Sequence, residues 1–343
     1  MMSAIEQMPE MPYVHIHLRE TYDTVPSRLI AWLRARRSLA VSRLHGPGAA
    51  LFRALLSLPN VEAVVGRTDE VDLQHVANLA ALQALVGKIE SVELLSSARA
   101  LRELELEWQE IDPEILRNFP ELRRLEFQTV SSDLSALGVL TRLTKLKVRL
   151  SNLYSTSAET TLQPLRHLTE LRSLELSLVR PQAMPDLTPI GALHGLRTLK
   201  LYLGEHGEAQ AFEPIARLSA LEELHIYSEA FSDESLALLS PLSSLRELLL
   251  RAAVRRLPTV GDLRSLQTLD LTGCNTLDNE AMNHVSTLSL QTLRFNNTPL
   301  GDPALVPLRR MTSLRNVYVS DGVTQRGRAA LQRALPEMVI HGY

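Results

Sequence analysis

The stretch Leu266 to Leu277, LQTLDLTGCNTL, has the spacing LxxLxLxxCxxL, and that spacing returns along most of the chain. A fixed period constrains the fold tightly, because each repeat is too small to bury its own apolar edge and has to stack on its neighbours. The first apolar position of each unit falls at Val61, Leu82, Leu101, Leu122, Leu143, Leu171, Leu196, Leu221, Leu245, Leu266, Leu290, Leu314 and Leu335. These are 13 units at intervals of 21, 19, 21, 21, 28, 25, 25, 24, 21, 24, 24 and 21 residues. Alternation within LxxLxL sends Leu269 and Leu271 inward and Asp270 and Thr272 outward, so each unit makes a short strand that stacks in parallel on the next. The expected architecture is an α/β, right-handed solenoid with parallel strands on a concave face and short helices or 3-10 segments on a convex one. Units of 24 or more residues leave room for a helix. Ser232-Asp233 before Glu234 to Leu239, and Asp302-Pro303 before Ala304 to Leu308, are start signals of that kind. The shorter early units are expected to use extended or 3-10 segments.

A stack of this type exposes its core edge at the first coil and needs an atypical unit there. Residues 1–11, with four Met, one Pro and no apolar period, read as a flexible lead-in. Val14, Ile16 and Leu18 alternate with His15, His17 and Arg19 as a strand does. Pro26 suits a first helical turn ahead of an apolar side over Arg28 to Arg37. Ser38 to Leu44 looks like a second strand, His45-Gly-Pro-Gly48 breaks the chain, and Ala49 to Leu58 resumes a helical pattern. Residues 12–60 are therefore assigned as an N-terminal α/β capping unit and 61–343 as a solenoid of about 13 coils.

Composition narrows the function classes. With 36 basic and 39 acidic residues the net charge is −3, so no chain-wide attraction to nucleic acid or anionic membrane is expected. The charge is unevenly spread: residues 61–135 carry 7 Lys/Arg against 15 Asp/Glu, and residues 136–210 carry 9 against 6. Cys274 is the only cysteine, which leaves no intrachain disulfide and points to a reducing, cytoplasmic setting. The opening residues lack the basic and apolar regions of a signal peptide, and no 18-residue apolar run exists to cross a membrane.

Chemistry-bearing motifs are sparse. His15 and His17 share one strand face and could reach a metal, as an HxH does in metal-dependent hydrolases. The further His and Asp ligands such a centre needs are missing, so no metal is assigned. Gly46-Pro47-Gly48 resembles the opening of a phosphate-binding turn. The third glycine position is Leu51 and Pro47 removes a donor, which favours a plain turn. No GxxxxGK[ST], GxSxG or HExxH is present, and no catalytic residue or cofactor is assigned. Cys274 occupies a turn slot of the repeat, where a structural role is expected.

From Leu101 to Tyr343 the chain resembles a leucine-rich-repeat protein, with 11 coils matching well and two more weakly. Coils such as FSDESLALLSPLSSLRELLL and the ending VTQRGRAALQRALPEMVI resemble bacterial intracellular-type repeats with a convex helix. The resemblance implies a binding scaffold. At the ninth position, where the family has Asn or Cys to bond the turn backbone, only Cys274 conforms; Gln109, Val130, Ser151, Val179 and Thr298 depart from it.

The repeat dictates the inward positions and leaves the outward ones free, so the latter carry the functional signal. Glu103, Glu105 and Glu107 form an acidic coil. Further along, Lys147, Arg149, Lys200, Tyr202, His225, Tyr227, Leu249 and Arg251 mix Tyr, Arg and apolar surface in the way binding hot spots do. They are assigned as the contact surface for a protein partner with an acidic surface. The expected function is a non-catalytic protein-interaction scaffold. Two alternatives are an enzyme whose chemistry lies in residues 12–60 with the repeats as a docking arm, and a recognition subunit of a ubiquitin-type ligase, for which VPSRLIAWL is a faint likeness to an adaptor box.

Overall fold

In the computed structural model of the chain all residues are described apart from 1–12, 19–30, 32, 36–37, 44–54, 72, 77, 90–91, 152–160, 179–183, 206 and 343. The lead-in and Gly46-Pro47-Gly48 fall outside the described residues. Fifteen strands follow one another in chain order, and every described pairing between neighbours is parallel. The chain divides into two compact units, residues 1–131 with 135–148 and residues 132–134 with 149–343.

The first unit contains β1 (Tyr13–Leu18), β2 (Ser38–Arg43), β3 (Val61–Val71), β4 (Ala84–Ile89), β5 (Glu103–Glu110) and β6 (Arg124–Thr129), and most of β7 (Lys145–Leu150). β1 pairs with β2 and β2 with β3, so the two amino-terminal strands run in the same ladder as the repeats. Between β3 and β4 the register shifts after Gly66 and Gly87, and Gly87 has φ 126°, a region that side chains with a Cβ avoid. From β3 onward the opposite edge of the coils is a 3-10 segment, as at Pro113–Asn118 and Ser135–Val139, while Leu55 and Leu56 ahead of β3 are α-helical. Short coils leave too few residues for a helix of several turns, as expected.

The second unit holds β8 (Ser173–Leu178), β9 (Thr198–Tyr202), β10 (Glu223–Ser228), β11 (Glu247–Ala252), β12 (Thr268–Asp270), β13 (Thr292–Arg294), β14 (Asn316–Tyr318) and β15 (Val339–His341). Its helices are α1 (Thr188–Gly191), α2 (Asp233–Leu238), α3 (Ala281–Val285), α4 (Leu305–Leu308) and α5 (Gln325–Ala334). The Leu196 coil has 25 residues and yet uses a 3-10 segment, Ala209–Arg217. Pro214 lies inside it, and a proline there removes the donor that an α-helical turn would need. In the last coil the strand also departs from the expected count. Leu335 as first position would make Met338 the fourth, whereas Val317, the fourth residue of its own coil, pairs with Ile340.

The core is a column of Leu. The fourth and sixth positions are buried in coil after coil, including Leu146, Val148, Leu174, Leu176, Leu199, Leu201, Leu248, Leu250, Leu269 and Leu271. Among the described residues no asparagine ladder runs beside it; several side chains take its place. In the first unit Gln109 receives the Ile89 N–H at 2.9 Å and donates to the Ile89 carbonyl at 2.8 Å. In the second, Ser228 donates to the Gly204 carbonyl at 2.9 Å, Cys274 to that of Leu250 at 3.2 Å, and Thr298 to that of Phe295 at 2.7 Å. Different residues thus satisfy backbone groups that burial would otherwise leave unpaired.

The helix at Ser232 begins where the sequence signals it. Ser232 accepts the Glu234 N–H, and the Ser235 hydroxyl accepts the Ser232 N–H. Asp233 reaches into the following coil, where its carboxylate accepts the N–H groups of Arg255, Arg256 and Leu257 at 3.2, 2.9 and 3.1 Å. Leu257 has φ 54°, a left-handed conformation that the carboxylate helps to hold. Replacing Asp233 with Ala is expected to cost about 1.5–3 kcal/mol, the value of a hydrogen bond to a charged group, measured by chemical denaturation. An unchanged midpoint would show that water replaces the carboxylate at no cost.

Candidate functional site

Along strands β8 to β11 the odd coil positions project away from the buried column, and the ladder aligns them into rows. The seventh-position row runs Ser177, Tyr202, Tyr227, Arg251. The fifth-position row runs Glu175, Lys200, His225, Leu249, then Asp270, Arg294, Tyr318 and His341. Parallel strands lie about 4.8 Å apart, close enough for aromatic rings on neighbouring strands to stack. Tyr202 and Tyr227 do so, with centroids 4.4 Å apart and planes 15° from parallel. The Arg251 guanidinium lies over Tyr227 at 5.9 Å, within cation–π range. Three of the expected contact residues therefore form one stack, half-exposed at the two tyrosines and exposed at Arg251.

The basic members are differently placed. Lys200 Nζ lies 2.6 Å from Glu223 Oε1. His225, on the same strand as Glu223, brings Nε2 to 3.0 Å from that oxygen and 3.4 Å from Glu247 Oε1. Burial pushes the Glu223 carboxyl up, but the hydrogen bond and charge of Lys200, with His225 and Thr198, outweigh it and hold the group below its ordinary value. Glu223 is ionised at neutral pH as a result. Leu249 is half-buried beside His225, and Arg149 is half-exposed on β7. Lys147 belongs to the first unit, where it pairs with Glu126 at 2.9 Å. Glu105 there is held by Lys145, two coils on, at 3.1 Å and Glu103 faces Arg124 of the next coil at 3.5 Å, so part of the acidic coil is neutralised by the coils that follow it.

Sequence reasoning stopped at Arg251 and missed the continuation of the fifth-position row. Arg294 lies 4.8 Å over the Tyr318 ring, Tyr318 stacks on His341 at 4.2 Å and 10°, and Asp270 holds Arg294 at 3.6 Å. Reading the same positions in three more coils finds Asp270, Arg294 and Tyr318. His341 needs the true register of β15.

The His15–His17 pair lies on β1, whose side chains are outside the described ones. Cys274 is buried, and burial pushes its thiol up to about 11, against a weaker opposing bond from the Ala252 backbone. A thiol held at about 11 carries roughly 100-fold less thiolate at neutral pH than a free cysteine. Labelling by a thiol reagent is therefore expected to be at least about 100-fold slower in native protein than in guanidinium; equal rates would mean the coil opens readily. A raised value also means that this group supports folding below pH 9 and loses its contribution as pH climbs toward 11.

A ladder of parallel strands each closed by a 3-10 segment or short helix, with Leu at the inward positions of every coil, is the leucine-rich-repeat fold. Solved structures bear this out. An internalin from Listeria monocytogenes matches with a TM-score of 0.62 and 23% identity over 91% of this chain and 88% of that one. A leucine-rich-repeat protein of Leptospira interrogans matches with a TM-score of 0.61 and 18% identity over 93% of both chains. The mouse RP105/MD-1 complex gives 0.60 and 18% over 88% of this chain and 54% of that one. No family model and no curated protein matches the chain. Among the described residues no helix is long and apolar enough to cross a membrane.

Proposed function

We propose that the chain is a non-catalytic scaffold that recognises a protein partner on the strand face of its second unit. Leucine-rich-repeat folds are typical protein-interaction scaffolds, and one of the similar structures is a complex, that of RP105 with MD-1. The observation that carries the reading is the in-register stack of Tyr202, Tyr227 and Arg251. Stacking pre-orders three side chains that combine apolar area with hydrogen-bonding tips, which lowers the entropy lost when a partner closes over them. Lys200 and Lys147 already hold Glu223 and Glu126, so Arg251 is the member best placed to meet an acidic group. A cytoplasmic setting belongs to the same proposal, supported by the lone, buried Cys274 thiol.

The test is quantitative affinity capture from one lysate with the wild-type chain and with a Tyr227→Ala/Arg251→Ala variant. A prey enriched by the first and lost from the second supports the reading. Preys retained equally by both would move the docking site to Glu103, Glu105 and Glu107 or to residues 12–60. Bound nucleotide in the purified chain would favour the enzyme alternative, and a co-purifying ligase subunit the other.

A further inference from the structure

We propose that Glu223, His225 and Glu247 form a binding site for a divalent cation of zinc type on the strand face of the second unit. The inference goes beyond protein recognition and does not depend on it. Most side chains at the outward coil positions are half-exposed, yet His225 is only 9% exposed. Its Nε2 is buried without a hydrogen-bond partner, although Glu223 Oε1 and Glu247 Oε1 stand 3.0 and 3.4 Å away. Neither oxygen is therefore aligned with the ring nitrogen as a hydrogen bond requires. A simple imidazolium–carboxylate pair would align one oxygen with the N–H. A shared cation accounts for the two nitrogen–oxygen distances. Ligand atoms about 2.0–2.2 Å from one zinc ion stand about 2.9–3.5 Å apart at octahedral to tetrahedral angles. All three candidate ligand atoms lie within 4.8 Å of one another.

The ladder explains the convergence. Glu223 and Glu247 are direct cross-strand partners, and His225 follows Glu223 by two residues on the same face. One imidazole with two carboxylates suits zinc or manganese better than softer ions, and the order of intrinsic affinities favours zinc. Glu223 also receives Lys200 at 2.6 Å and Thr198 at 3.3 Å. Lys200 thus competes with a metal for Oε1, so its removal is a sharper probe than removal of a ligand.

The experiment is calorimetric titration of zinc chloride into tag-free, chelator-treated full-length chain, with thermal melts to check folding. The wild type is expected to bind one zinc ion per chain that Glu247→Gln and His225→Gln each weaken at least about tenfold. Lys200→Met should tighten the same site by about 2- to 5-fold, the size of one half-exposed ion pair. Should His225→Gln fail to fold, Glu247→Gln and Lys200→Met decide, because both change half-exposed side chains. Zinc uptake that none of the variants alters, or no uptake at micromolar concentrations, overturns the site and leaves an ion-pair network.

Discussion

Leu269→Ala is expected to lower the stability of the chain by about 2–5 kcal/mol, the range for deleting a large aliphatic side chain from a packed core. Leu269 is fully buried, and its strand pairs on one side with Leu248 and on the other with Leu293. In a stacked array each coil contacts only its neighbours, so a cavity at Leu269 weakens two interfaces and no others. The effect should appear as a lower denaturation midpoint. A lower slope as well would report that the second unit unfolds separately. Val306→Ala is the matched control: the same apolar chemistry at a position 54% exposed should change stability by less than about 0.5 kcal/mol. Equal losses from the two variants would mean that the inward column does not carry the stability.

That column was legible because the repeat writes it many times. Every LxxLxL states which residues face inward, and Leu248, Leu269 and Leu293 fall at the fourth position of three successive coils. Register failed where two periods meet. Leu331 and Leu335 are four apart at the end of α5, so the apolar spacing of a helix runs into the strand and hides the true fourth position, Ile340. Helix type failed at Pro214 for a comparable reason, since length alone does not register a missing donor. The outward rows were legible as positions but not as contacts. Glu223 is an outward position of the same coil as Tyr227, yet only side-chain direction decides that it closes on Lys200 and His225. The half of the reading that asks for an acidic partner rested on Lys147, Arg149, Lys200 and Arg251. Lys147 and Lys200 are paired within their own units, which shifts that expectation toward Arg251.

Tyr227→Ala and Arg251→Ala are each expected to weaken partner binding by about 1–3 kcal/mol, the hot-spot range, with the melting temperature nearly unchanged. Tyr227 is the middle of its stack: Tyr202 lies on one side and Arg251 on the other, so its loss leaves both neighbours without support. Arg251→Ala removes only the end of the stack and should cost less than Tyr227→Ala, provided that the guanidinium meets no carboxylate. If it does meet one, the order reverses and the Arg251 effect shrinks at high salt, where charge is screened and ring contact is not. Gly273, at φ 82°, adds a second test, because a Cβ there would come within 3.2 Å of the Arg251 Nε. Arg328 would serve poorly as the reference for these variants, since its Nε is buried. Arg310, exposed beyond the end of α4, is suitable, and Arg310→Ala should change neither affinity nor melting. Surface plasmon resonance against a captured partner separates these cases. Equal affinity for Tyr227→Ala, Arg251→Ala and Arg310→Ala would show that the partner docks away from this stack.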